Sequence, residues 1–168
     1  MNKLFIIFIF LFSFKCLSEE INDPFEDLNR KTFEFNEKLD ESILKPIAKT
    51  YSNFPPKIKI GVTNFFNNLE DVETSINQLL QGKPKKSIND ITRFAINSTI
   101  GLAGFIDIAS KIGLDRHEED FGQTLAVWGI GSGPYIMLPG LGPSTLRDTL
   151  SRPVSSFSSI TFHMTETD

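Results

Sequence analysis

The stretch IKIGVTNFFNNLEDVETSINQLLQG, Ile58 to Gly82, decides the fold class. Ile58, Val62, Phe65, Phe66, Leu69, Val72, Ile76, Leu79 and Leu80 recur at spacings of three and four, which is the signature of one apolar face on a long helix. Gly82, with Pro84 just beyond, supplies the stop. The other side carries Asn64, Asn67, Asn68, Asn77 and Gln78, polar but almost uncharged. A freely solvated helix would carry more charge, so this pattern points to a helix partly shielded from water.

Working outward, the segment from Pro24 to Ile47 places Phe25, Leu28, Phe35, Leu39 and Ile43 on one helical face, with Thr32 completing the spacing. Asp23 reads as its N-cap, Pro24 as its first helical residue and Glu26 as the residue closing a capping box. Pro46 is expected to interrupt it, and Pro55-Pro56 to force an extended joint. Downstream, a third helix is expected from a cap at Ser87 through Ile88, Ile91, Phe94 and Ala95. From Phe94 to Ile106 no residue is charged, and Ser98, Thr99, Gly101, Ala103 and Gly104 are small. That composition suits a helical hairpin or re-entrant element, or a buried core helix. A full membrane span needs about 20 apolar residues, and Gly101 and Gly104 break a shorter run.

The run DFGQTLAVWGIGSGPYIMLPGLGPSTLRD, Asp120 to Asp148, is of another kind. Glycines and prolines cut it every few residues, while Trp128, Tyr135, Ile136, Met137 and Leu138 still need apolar surroundings. It is expected to be irregular backbone packed against something apolar. The overall expectation is an all-α fold of amphipathic helices with this one irregular segment.

The chain has 168 residues, 40% hydrophobic and 23% charged, which fits one globular domain and excludes an extended disordered chain. Acidic residues number 21 against 17 basic ones, and an export signal would remove Lys3 and Lys15 as well. A nucleic-acid binder would need a basic face instead. Met1 to Phe14 joins Lys3 to an unbroken apolar run too short to span a bilayer, the form of a secretory signal. Two processing routes fit residues 1–18. In one, Cys16 becomes an acylated N-terminus, although Phe14-Lys15 departs from the small residues that usually precede such a cysteine. In the other, cleavage follows Ser18. A domain over 19–150 and a Ser/Thr-rich tail over 151–168 complete the expected organisation.

Catalytic signatures are missing. His117-Glu118-Glu119-Asp120 lacks a second nearby histidine at metal-site spacing, and His163 is far away, so no metal is expected. The cluster reads as a solvated turn, with Arg116 neutralising part of it. Gly129-Ile130-Gly131-Ser132-Gly133 has no following Lys-Ser or Lys-Thr, and Pro134 removes a donor where a phosphate cradle needs one. Ser132 lies in no nucleophile elbow. Neither a cofactor nor an enzymatic activity is expected.

Six blocks carry a resemblance: NDPFEDLNRKTFEFNEKLD (Asn22 to Asp40), ILKPIAKTY (Ile43 to Tyr51), GVTNFFNNL (Gly61 to Leu69), LLQGKP (Leu79 to Pro84), RFAINSTIGLAGFIDIASKIGL (Arg93 to Leu114) and RHEEDFGQTL (Arg116 to Leu125). With the glycine-rich run they resemble the MlaA family, also called VacJ, collinearly from Asp23 to Asp148. The resemblance implies a helical ring embedded in the outer membrane of Gram-negative bacteria, reached from the periplasmic side. Such a ring moves mislocalised phospholipid out of the outer leaflet through an amphipathic channel, beside a trimeric porin, toward a periplasmic lipid carrier. Family members usually continue beyond the block ending at Asp148, which makes a shortened C-terminal region an expectation here. A structural envelope protein that binds porin without conducting lipid is the alternative. Sixteen Phe beside two Tyr and one Trp suit a lipid-facing surface, and equally fit the codon bias of an AT-rich genome, since Ile, Lys and Asn are also abundant. Trp128, Gly129, Gly131, Gly133, Tyr135, Pro139 and Gly140 are the expected channel wall and rim, with Phe35 on the opposing wall and Cys16 as the lipidation candidate.

Overall fold

The computed structural model describes residues 23–158, with side chains described through Ser155. Residues 1–18, Cys16 and His163 lie outside this range. The described chain is mostly helical: α1 (Glu26–Leu39), a π-helical turn (Asp40–Leu44), α2 (Lys45–Ser52), α3 (Pro56–Leu80), α4 (Pro84–Thr99), α5 (Ile108–Lys111), α6 (Phe121–Val127) and α7 (Leu146–Ser158). Between α6 and α7 lies an antiparallel hairpin of β1 (Tyr135–Leu138) and β2 (Gly142–Thr145). Among the described residues no helix is long and apolar enough to cross a membrane.

Local chemistry sets most of the boundaries. Asp23 marks the first start, but its carboxylate accepts from the Phe25 amide at 2.9 Å and from Asn29 Nδ2 at 2.8 Å, and the helix begins at Glu26 rather than Pro24. Pro46 does not end the helical path. The wider π turn before it absorbs the missing donor, and Pro46 sits in the first turn of α2. α3 starts on Pro56 and closes with the Lys83 amide on Gln78 O at 2.8 Å and the Gly82 amide on Leu79 O at 3.0 Å, the paired bonds of a Schellman stop. α4 begins at Pro84, three residues before the expected cap Ser87, because proline's fixed φ suits the first helical position.

α3 and α4 form an antiparallel pair that makes the centre of the fold. Beyond the pair, past the end of α4, the apolar stretch does not extend into a further long helix. α4 ends at Thr99, and residues 100–106 fold tightly back onto α3, where Phe105 meets Phe65 with ring centres 5.3 Å apart. Leu102 and Ala103 both take left-handed backbone, with φ of 55° and 56°. Gly104 follows at φ 93°, and a Cβ there would lie 2.7 Å from the Asn68 amide nitrogen. This turn is strained, and it is held by the close approach that Gly104 allows.

The mostly helical fold is the one expected, and within it the segment expected to be irregular contributes one small two-stranded hairpin. Tyr135, Ile136, Met137 and Leu138 pair with Thr145, Ser144, Pro143 and Gly142 in that order. Pro143 faces Met137, whose amide turns away from β2, and a non-hydrogen-bonded pair of this kind can hold a proline without losing a ladder bond. α7 packs on α6 and runs on to Ser158, so the residues from Ser151 onward, read as tail, begin inside a helix.

Candidate functional site

Helical periodicity located the faces correctly, but their polarity is reversed with respect to the interior. In α1 the stripe residues Leu28 and Phe35 are exposed, as is Ile43 in the π turn, while Asn29 and Thr32 are buried. In α3, Ile58, Phe66, Ile76, Leu79 and Leu80 face outward, and Asn68, Asp71, Thr74, Ser75, Asn77 and Gln78 face inward. Among the described residues the buried apolar side chains are Leu69 and Ala109. Large contiguous apolar surfaces are rare on proteins that live in water and mark contact with a partner or with lipid.

The inward polar groups form a connected seam between α3 and α4. Its hub is Arg93, 2% exposed. The guanidinium donates to Ser110 Oγ at 3.0 Å, to the Leu114 carbonyl, and to both Asp107 oxygens at 3.2 and 3.3 Å, and its Nε lies 3.4 Å from Asp71 Oδ2. Asn97 Nδ2 also donates to Asp107 at 3.1 Å, and Asn97 Oδ1 accepts from the Ala109 amide. Burial works against the Asp107 charge. Hydrogen bonds from the Ser110 side chain and amide and from Asn97, together with Arg93, outweigh it and hold the carboxyl at about 2. Asp71 is the opposite case. It is 1% exposed, and burial pushes it up to about 7 although Arg93 and Arg116 pull it down. Gln78, also fully buried, has no protein partner for either side-chain polar atom.

The segment Arg116 to Asp120, expected as a solvated turn, is docked onto this seam. Arg116 bridges Glu70 at 2.7 Å and Glu118 at 2.6 Å and lies 3.7 Å from Asp71. His117 Nδ1 sits 3.1 Å from the buried Asp90, and Glu119 accepts from Lys83 at 2.8 Å and from Gln81 at 3.0 Å. Asp120 caps α6 through the Gln123 amide. The run of charged residues in this segment suggests a surface turn, while its partners are distant in sequence, and that is why local reading misplaced it.

The glycine-rich run divides into two groups. Trp128, Gly129 and Gly131 lie at the end of α6, where Trp128 Nε1 donates to Leu80 O at 3.2 Å and its ring meets Phe121 edge-on. Gly133, Tyr135, Pro139 and Gly140 belong to the hairpin region, which rests on α1. Phe35 is not what joins them. Asn29 accepts from the Met137 amide at 2.7 Å and donates to Tyr135 O at 3.2 Å, and Asn36 accepts from the Gly140 amide at 2.7 Å and donates to Leu138 O at 2.9 Å. Each asparagine side chain thus pairs with the free edge of β1 or its turn as a neighbouring peptide would. The pair is two helical turns apart on the inward face, and that spacing was the available sequence signal. Phe35 lies off this stripe and is 52% exposed. Beside the joint an open groove of about 600 Å³ is lined by Asn29, Arg30, Phe33, Glu37, Tyr135 and Met137.

Comparison with known proteins gives this arrangement a context. The sequence profile described as MlaA lipoprotein matches residues 21–168. The proteins named intermembrane phospholipid transport system lipoprotein MlaA from Haemophilus influenzae and from Escherichia coli K12 are 41% and 40% identical, each over 76% of this chain and 53% of its own length. A protein of Rickettsia typhi is 41% identical over 84% of this chain and 56% of its own. This chain therefore spans about half the length of these relatives. A solved structure described as the structural basis for maintenance of bacterial outer membrane lipid asymmetry matches with a TM-score of 0.75 and 36% identity, over 86% of this chain and 75% of that one. The chain belongs to the MlaA lipoprotein family.

Proposed function

We propose that this chain is the outer-membrane component of a phospholipid transport system, taking mislocalised lipid from the outer leaflet toward the periplasm and so maintaining lipid asymmetry. The observation that carries this reading is the reversed polarity: apolar side chains cover the outside of α1 and α3 while polar ones are turned inward, and the apolar side of α2 is exposed as well. A surface of that kind is favourable against hydrocarbon and costly against water. A lipid in transit needs an apolar wall for its chains and a shielded polar route for its headgroup, since an unpaired charge in hydrocarbon is expensive. Relatives at about 40% identity carry the phospholipid-transport name, which supports the same reading.

In this proposal the hairpin residues Gly133, Tyr135, Pro139 and Gly140 form a wall facing α1, with Phe35 outside the joint on the lipid side. Trp128, Gly129 and Gly131 form a rim. Acylation of Cys16 would hold the domain at the periplasmic side of the outer membrane, a trimeric porin would seat it, and a soluble periplasmic carrier would accept the lipid. The test is complementation of a Gram-negative strain that lacks its own relative, reading phospholipase-accessible phospholipid at the surface of intact cells. Restored asymmetry supports the reading. A folded, membrane-located chain that leaves surface phospholipid unchanged removes it, and a free Glu19 terminus by mass spectrometry removes the acyl anchor alone.

A further inference from the structure

Every residue from 41 to 58 is exposed, and this run contains the whole of α2. α2 follows directly from the π turn, and its contacts in the fold are chiefly with that turn. A short helix with neither face covered by the fold is stable only if something else covers it. Its two sides differ sharply. Ile43, Pro46, Ile47, Thr50, Tyr51 and Phe54 fall on one helical side, and most of them line an open apolar hollow of about 390 Å³. Lys45, Lys49 and Ser52 fall on the other side.

Charge is segregated in the same region. From Ser42 to Leu69 the chain carries Lys45, Lys49, Lys57 and Lys59 and no acidic residue. Lys45 reaches Asp40 at 3.2 Å and Lys59 donates to Ser52 O at 3.0 Å. Lys49 and Lys57 have no protein partner among the described residues and stand at the elbow where α2 meets α3. Along α3, roughly 20 Å from Lys57 at 1.5 Å per residue, the character inverts: Glu70, Glu73, Glu118, Glu119 and Asp120 surround an acidic cleft of about 270 Å³.

From this we infer that the α2 elbow is a docking surface for the headgroup layer of a bilayer containing anionic phospholipid. The apolar stripe of Ile43, Ile47, Tyr51 and Phe54 enters the acyl boundary, and Lys49 and Lys57, with Lys45 and Lys59 beside them, lie among the phosphates. An amphipathic helix with aromatic residues on one side and lysines on the other suits this interface geometrically, because the long lysine stems let the ammonium groups rise to the headgroups. The acidic cleft further along α3 is repelled by the same surface, so the two ends together fix which way the domain faces. A protein partner is disfavoured because the lysines are spread around an elbow with no complementary socket, whereas a fluid anionic surface needs none.

The inference rests on the membrane reading of the proposed function, and one experiment separates the two. The purified full chain is floated with phosphatidylcholine vesicles and with vesicles that also contain phosphatidylglycerol, beside Lys49→Gln/Lys57→Gln and a control of equal charge change, Lys85→Gln/Lys86→Gln. The expected result is binding to both vesicles, tighter with phosphatidylglycerol. The elbow variant should lose roughly 10- to 30-fold of its partitioning to the anionic vesicles, keep its binding to the neutral ones, and lose its response to salt, while the control keeps the anionic preference. Equal binding of the native chain to both vesicles overturns the elbow and leaves the membrane reading standing. Equal loss in both variants overturns it in favour of net charge. Binding to neither vesicle overturns the membrane reading and the elbow together. Unchanged vesicle binding by the elbow variant, with weakened porin capture from solubilised outer membranes, would reassign the surface to protein docking.

Discussion

Two regions of this domain join distant stretches of chain, and they do it with different chemistry. The α3–α4 seam is closed by buried ions: Arg93 between Asp71 and Asp107, with Arg116 behind. The α1–hairpin joint is closed by two neutral amides, Asn29 and Asn36, on the edge of β1. Ions bind strongly but leave an uncompensated charge when one partner is lost, whereas an amide leaves only unpaired hydrogen bonds. The seam is therefore the brittle part of the fold and the joint the adjustable part. That division suits a domain in which the glycine-rich side is the one proposed to line the lipid path.

The contrast can be broken most directly at its hub. Arg93→Met should cost about 3–5 kcal/mol by stranding Asp71 and Asp107, read by denaturation of the detergent-solubilised chain. A loss below that of the asparagine variants would overturn the ranking of the two regions.

Acidity sharpens the comparison next. Asp71 is raised in the folded state, to about 7, so the folded protein holds a proton that the unfolded chain releases near its ordinary value. Stability should fall as pH rises from about 4 to 7 on this account, and Asp71→Asn should flatten that slope. Asp107 has the opposite sign: its lowered carboxyl contributes stability that is present above the ordinary carboxylate range and lost as pH falls toward 2. Melting profiles of the two single variants with Asn across this range check both signs.

At the joint, Asn29→Ala removes bonds to Met137, Tyr135 and Asp23 and should cost about 2 kcal/mol, with Asn36→Ala nearer 1. Hydrogen exchange at the Met137 and Gly140 amides should quicken in the matching variant, while the Ala109 amide in the seam stays protected. A pair of glycines comes last, and the smallest effect is at one of them. Gly133 has φ 68°, and a Cβ there would press on Leu146 at 3.1 Å, so Gly133→Val should cost about 1–2 kcal/mol. Gly131 has open space around it and no left-handed backbone, and Gly131→Val should stay within about 0.5 kcal/mol. Lipid asymmetry measured beside folded protein level then tells whether Gly131 matters to passage at all.

The sequence exposed periodicity and hid direction. The stripe from Ile58 to Leu80 and the stop at Gly82 were readable because spacing and glycine chemistry are local. Which side faced inward was not, since an apolar period looks the same whether it meets a core or hydrocarbon, and Asn68, Asp71 and Gln78 were the telling residues. The third helix began at Pro84 because the proline rule outranked the cap at Ser87. The strand pairing of Tyr135 to Leu138 was concealed by a run of four residues too short to show alternation. Arg93 stood at the border of thirteen uncharged residues, Phe94 to Ile106; its partners Asp71 and Asp107 lie on other elements, and no local rule joins them.

The Asn29 and Asn36 bridges connect residues separated by 102 to 108 positions, whereas the Arg93 hydrogen bonds reach partners only 14 to 21 positions away. Short loops close quickly and long ones slowly. During synthesis the seam can assemble as soon as α3, α4 and the segment after them have emerged, while α1 must wait, unpaired, for the hairpin. The clasp between the first and last thirds of the described chain therefore closes only after the seam has had the chance to form, so the parts of the domain are joined in their order along the chain.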